Sequence, residues 1–109
     1  MRIAIIGRTE ILLETAQRLH AAGHEIAVIV TAKEAPEYRA TAADFEALAR
    51  ALGARFVHTA RIADTVDLLR KLPSIDLAIS CNYPGIVPQE VIERFRLGVL
   101  NAHGGDLPR

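Results

Sequence analysis

Short, β-branched apolar runs alternate with amphipathic stretches along the whole of this 109-residue chain, and few architectures accept that rhythm. Arg2 to Ile6 is a nearly unbroken apolar run that closes on Gly7, and Glu25 to Thr31 repeats it with Ile26, Val28, Ile29 and Val30. Runs without polar alternation suit strands covered on both faces. Arg55 to His58, Ile75 to Ser80 and a run starting at Gly98 supply three more. Between them the apolar residues switch to helical spacing. Ile11, Leu12, Ala16 and Leu19 mark a helix over Glu10 to Ala22, with Gly23 beyond its end. Phe45, Leu48, Ala49 and Leu52 mark a second, capped by Thr41 or Asp44 and ended by Gly53. Val66, Leu69 and Leu72 predict a third over Asp64 to Leu72, stopped at Pro73. Pro88 suits the first turn of a fourth, running through Val91, Ile92 and Phe95. Strands and helices taking turns at this spacing predict an α/β fold, a parallel sheet with helices on both faces.

The length limits the chain to a single domain over residues 1–109, large enough to bury a core. Thirteen basic and thirteen acidic residues cancel, so no overall field recruits nucleic acid or an anionic membrane. No apolar run approaches the roughly 20 residues needed to span a bilayer. The opening Met1 to Gly7 segment is too short for a signal peptide and lacks a small-residue cleavage site. A single cysteine, Cys81, excludes an internal disulfide and a cysteine-based metal cluster. The expectation is a cytoplasmic protein without membrane partners or metal.

In open parallel sheets ligands bind beyond the carboxyl ends of the strands, near a topological switch. Three segments fall at such ends: Gly7-Arg8-Thr9, the loop from Cys81 to Val87, and Asn101 to Pro108. The first carries only one glycine where a dinucleotide cradle needs three, which disfavours a nicotinamide-dependent oxidoreductase. A helix start beside Arg8 still offers a place for a substrate anion, so Gly7, Arg8 and Thr9 are candidate substrate contacts. His20, His24 and His58 are scattered without metal-ligand spacing and read as surface or turn residues. Cys81 reads as a small buried side chain, and Asp64, Asp67 and Asp76 as helix-cap, surface and strand-edge residues.

Asn101 and His103 differ. Alternation along an extended strand places residues two apart on one face. Gly104 and Gly105 remove steric cover beside them. A carboxamide N–H and an imidazole aimed at one point stabilise an oxyanion, and the imidazole can also move a proton. No serine or cysteine nucleophile stands beside them, so the attacking group belongs to the substrate.

Asn101-x-His103-x-x-x-Leu107-Pro108-Arg109 resembles the N-x-H-x-S-x-L-P-R signature of formyltransferases that use 10-formyltetrahydrofolate. The strand from Asp76 to Ile79 and the segment Tyr83-Pro84-Gly85-Ile86-Val87-Pro88 look like that family's preceding strand and folate loop. The resemblance spans the whole chain, and these two later segments are its specific part. It implies a Rossmann-like, doubly wound, mostly parallel five-stranded sheet. It also implies that Asn101 polarises the formyl oxygen while His103 stabilises the oxyanion and assists proton transfer. Tyr83, Pro84, Gly85, Ile86 and Val87 become the folate-binding residues, with 10-formyltetrahydrofolate as co-substrate.

Two departures bear on activity. Gly105 stands where the family has serine, followed by Asp106 where an apolar residue is usual. The family also carries a catalytic aspartate some tens of residues after the histidine. The chain is therefore expected to be a domain incomplete at its carboxyl terminus and inactive by itself, with an uncovered sheet edge open to self-association. An amino sugar or other small amine is favoured as the acceptor, with methionyl-tRNA left open. Between Thr31 and Ala40 only Lys33 and Arg39 are basic, and Glu34 and Glu37 balance them. The competing expectation is a non-catalytic Rossmann-like binding or interaction module.

Overall fold

A computed structural model describes residues 1–32, 40–59, 61–81 and 87–102. Five strands form one parallel sheet: β1 (Arg2–Gly7), β2 (Glu25–Thr31), β3 (Arg55–His58), β4 (Leu77–Cys81) and β5 (Val99–Ala102), in the order β3-β2-β1-β4-β5. The helices are α1 (Glu10–Ala21), α2 (Ala42–Leu52), α3 (Val66–Lys71) and α4 (Gln89–Ile92), with a 3-10 turn at Ile62–Thr65 leading into α3. The expected doubly wound α/β architecture is present.

The chain winds outward from β1 through β2 to β3, then crosses back to lay β4 against the other side of β1. Parallel crossovers keep one hand, so reversing the direction of winding moves the helices to the opposite face. The core divides accordingly. On one face Leu12 and Ala16 of α1 and Phe45, Leu48 and Ala49 of α2 pack on Ile3, Ile5, Ile26 and Ile29. On the other, Ile62, Val66, Leu69, Val91 and Phe95 pack on Ala4, Ile6, Val28, Val30 and Ala78.

Strict alternation fails at one place. The β1–β2 register slips between Ile3 and Ala4, which pair with Ile26 and Val28. The skipped Ala27 and its neighbour Val28 both join the same cluster, as a bulge requires when two residues oppose one. The small Ala27 side chain fits where a second valine would crowd the layer.

Local chemistry sets the helix ends. Thr41 and Asp44 cap α2 together: the Asp44 N–H donates to Thr41 Oγ1 at 3.2 Å and the Thr41 N–H to Asp44 Oδ2 at 2.9 Å. Thr65 donates to the Ile62 carbonyl at 2.6 Å, closing the 3-10 turn, so the third helix begins at Ile62 in a tighter form than its spacing predicts. Leu72, before Pro73, is extended, as proline demands of its predecessor.

The largest departure concerns Phe95, expected on the fourth helix. That helix stops at Ile92, and Phe95 instead forms a parallel bridge with Ile75, outside β4. Phe95 is 4 % exposed; burying its ring against the sheet outweighs one further helical turn. Gly98, at φ 86°, then turns the chain into β5. Pro88 sits one residue before the helix as its N-cap, and Cys81, expected in the loop, completes β4.

An ionic knot ties the amino ends of the strands. Asp76 accepts from the Arg2 N–H at 2.8 Å and from Arg96 Nε at 3.0 Å. Arg2 also donates to the Ser74 carbonyl and pairs with Glu25. The backbone N–H of Arg2, then the Arg96 side chain, hold the Asp76 carboxyl below its ordinary value of 3.8. A carboxylate with a depressed native pKa stabilises the fold above its unfolded value, and that contribution is lost as pH falls through the native one. Urea titrations should therefore show Asp76→Asn less stable than the parent at neutral pH. The gap should close as pH drops below about 4; a gap independent of pH would remove this role.

Candidate active site

The carboxyl ends of β1, β4 and β5 meet at the point where the winding reverses. Gly7 pairs with Cys81, Ser80 with Asn101 and Cys81 with Ala102. This edge brings together residues from three separate strands of the chain.

Gly7 has a specific steric reason. A Cβ built there would lie 2.1 Å from the Cys81 carbonyl oxygen and 2.6 Å from Leu12 Cδ2, at φ 155°. Only a residue without a side chain lets β1 leave the sheet this close to β4. The Arg8 N–H donates to the Cys81 carbonyl at 3.3 Å, and buried Thr31 donates through Oγ1 to the Gly7 carbonyl at 2.7 Å. Thr9 caps α1: its Oγ1 accepts from the Leu12 N–H at 3.2 Å and donates to Cys81 Sγ at 3.4 Å. Of the three residues read as substrate contacts, Gly7 and Thr9 are buried and Arg8 is half-buried. The Thr9 hydroxyl is engaged within the fold.

Asn101, the third residue of β5, has an exposed side chain. Val99, two residues earlier, packs on the α3 and α4 face, so alternation assigns Asn101 to that face, beside buried Ser80. Val87 is half-buried against the same cluster. That face also receives the 3-10 turn, whose Ile62 and Thr65 are buried. His103 lies outside the described residues, as do Tyr83, Pro84, Gly85 and Ile86.

Cys81 is buried, as expected. His20 and His58 are exposed, and His24 meets the amino terminus through Nδ1 at 3.1 Å. Among the described residues no three His, Cys, Asp or Glu side chains group to hold a metal ion. No described helix is long and apolar enough to cross a membrane. The hydrogen bonds of Thr9 to Cys81 and of Thr31 to Gly7 carried no sequence signal, because the partners lie 72 and 24 positions apart.

The comparison with known proteins decides the family. The formyl transferase family model matches residues 1–109. This chain belongs to the formyl transferase family. A methionyl-tRNA formyltransferase of Rhizorhabdus wittichii is 35% identical over 114 aligned positions, covering 100% of this chain and 37% of the relative. Those of a Caulobacter species and Phenylobacterium zucineum are 33% and 30% identical over the whole chain, covering 36% and 37% of their own lengths. The chain thus spans little more than a third of these relatives.

The Gly7 contact is open to a direct test. Gly7→Ala should cost on the order of 3 kcal/mol, the upper range for forcing atoms into a packed site. Gly53 has φ 72° with nothing within 4 Å of a built Cβ, so Gly53→Ala should cost only about 1–2 kcal/mol of left-handed strain. Urea midpoints of the two variants measure the difference; equal losses would show that close approach to β4 is not what Gly7 provides.

Proposed function

We propose that this domain carries the formyl-donor side of a transferase that moves a formyl group from 10-formyltetrahydrofolate to a primary amine. The observation that carries the reading is the exposed Asn101 carboxamide at the carboxyl end of β5, within the family's N-x-H pattern and next to the strand end that leads into residues 82–86. Two strand spacings, about 10 Å, separate β5 from β1, a span suited to a ligand lying across the switch point.

The folate co-substrate supplies an activated formyl carbon. Attack by an amine builds negative charge on the formyl oxygen, and a carboxamide N–H from Asn101 donates to it. The His103 imidazole, two residues on, donates to the same oxygen and passes a proton toward the departing nitrogen. The backbone at Tyr83, Pro84, Gly85 and Ile86 holds the pterin, with Val87 and Ile86 lending apolar contact. Arg8, half-buried directly after β1, serves in this reading as an anion contact for the acceptor. Val87 and Asn101 sit on the same face of the sheet, which fits donor binding and chemistry at one crevice.

Two acceptor classes follow from different observations. The relatives' names point to methionyl-tRNA. The balanced charge of the chain and of residues 33–39 points to an amino sugar or another small amine. Assaying a longer polypeptide that carries this domain with 10-formyltetrahydrofolate against methionyl-tRNA and a panel of amino sugars separates them, the variants below being made in that polypeptide. Asn101→Ala should lower kcat by about 10²–10³, and His103→Ala by about 10²–10⁴, with unchanged circular dichroism. Folate binding with no transfer to any amine would instead make this a non-catalytic binding module.

A further inference from the structure

Four polar side chains are buried among the described residues: Thr9, Thr31, Thr65 and Ser80. Three of them spend their hydroxyls inside the fold. Thr9 donates to Cys81 Sγ, Thr31 to the Gly7 carbonyl and Thr65 to the Ile62 carbonyl. Ser80 differs. It is only 3% exposed, yet no described residue forms a hydrogen bond with its hydroxyl. A buried hydroxyl without a partner works against stability, so its presence calls for a use beyond holding the core together.

Its neighbours define that use. On β4, Ala78 belongs to the cluster under α3 and α4, and Ser80, two residues on, faces the same way. The register partners of Ser80 are Ile6 on β1 and Asn101 on β5. Ile6 belongs to that cluster and has no polar side-chain atom. Asn101 is exposed and brings a carboxamide. Paired residues on adjacent strands stand about 4.8 Å apart, a gap that a hydroxyl and a carboxamide can close with one hydrogen bond. Residues of this chain already enclose Ser80, so its burial does not wait on further polypeptide.

We infer that Ser80 is a positioning residue for Asn101: its O–H donates to the carboxamide oxygen and turns the N–H groups toward the formyl oxygen. The two side chains are not bonded to each other in this structure; the bond forms as the exposed carboxamide closes on the bound donor. A carboxamide has an accepting end and a donating end of nearly equal size, and a lone one can meet an oxyanion the wrong way round. A hydroxyl donor beside its oxygen removes that choice, and hydrogen bonds in a chain strengthen one another. The inference rests on the role given to Asn101 above.

A double-mutant cycle in the longer polypeptide tests it, with 10-formyltetrahydrofolate and the acceptor that the assay above identifies. Ser80→Ala should lower kcat about threefold to tenfold, the effect of one neutral hydrogen bond, and leave KM for the folate unchanged. Asn101→Ala and the double variant should turn over at the same rate, because the hydroxyl then has nothing to orient. The urea midpoint of Ser80→Ala should equal or exceed the parent's, since no hydrogen bond within the fold is lost. A Ser80→Ala variant with the parent's kcat overturns the inference while the role of Asn101 stands. So does a Ser80 effect that persists at full size beside Asn101→Ala, which would tie the hydroxyl to another group, and so does a lowered midpoint. No transfer to any acceptor, or an Asn101→Ala variant as fast as the parent, removes the role of Asn101 and this inference with it.

Discussion

Everything at the functional edge depends on how closely β1 and β4 approach as they leave the sheet. Gly7 and Cys81 are register partners, and the space a Gly7 side chain would need is taken by the Cys81 carbonyl. Three polar contacts hold that approach: Arg8 N–H on the Cys81 carbonyl, Thr31 on the Gly7 carbonyl, and Thr9 on the Cys81 sulfur. Each lies in or beside the core, where an unpaired polar group costs about 1–3 kcal/mol. The contacts therefore reinforce one another: losing the approach would strand several buried partners together. Because β5 is registered on β4, the same contact fixes where Asn101 emerges relative to the start of α1.

The reversal of winding at β1 gives the sheet two unequal halves. β1, β2 and β3 are covered on one face by α1 and α2, and the opposite face is packed by the 3-10 turn, α3 and α4. On β5 the inward-facing Val99 is partly covered, while Leu100 on the other face is not. The amino edge is built on ionic contacts instead, with Asp76 joining Arg2 to Arg96. One end of the sheet is thus held by ionic contacts, and the other by the close approach of β1 to β4.

Much of this was legible in the sequence where the signal is local. The β-branched runs located all five strands, and Gly7, Gly23 and Gly53 marked real ends. Thr41 and Asp44 each looked like a cap because each is half of a capping box. Asn101 stood out because alternation puts it on one face with His103, beside Gly104 and Gly105. Legibility failed where a distant partner decided the outcome. Phe95 has helical spacing from Val91 and Ile92 but follows Ile75 into the sheet. Ala27 and Val28 break alternation because β1 sets the register. Thr9 was read as a substrate contact, and its hydroxyl proves to be shared between a helix cap and Cys81.

By itself the sequence determined which segments are strands and helices, since periodicity and capping act over a few residues. It also carried the N-x-H pattern on which the resemblance to the family was read. The tertiary structure alone decided the strand order, the division of helices between faces, and the junction of Gly7, Cys81 and Asn101 at one edge. Those depend on contacts between residues tens of positions apart, whose energies come from shared burial that no single segment possesses before the sheet assembles.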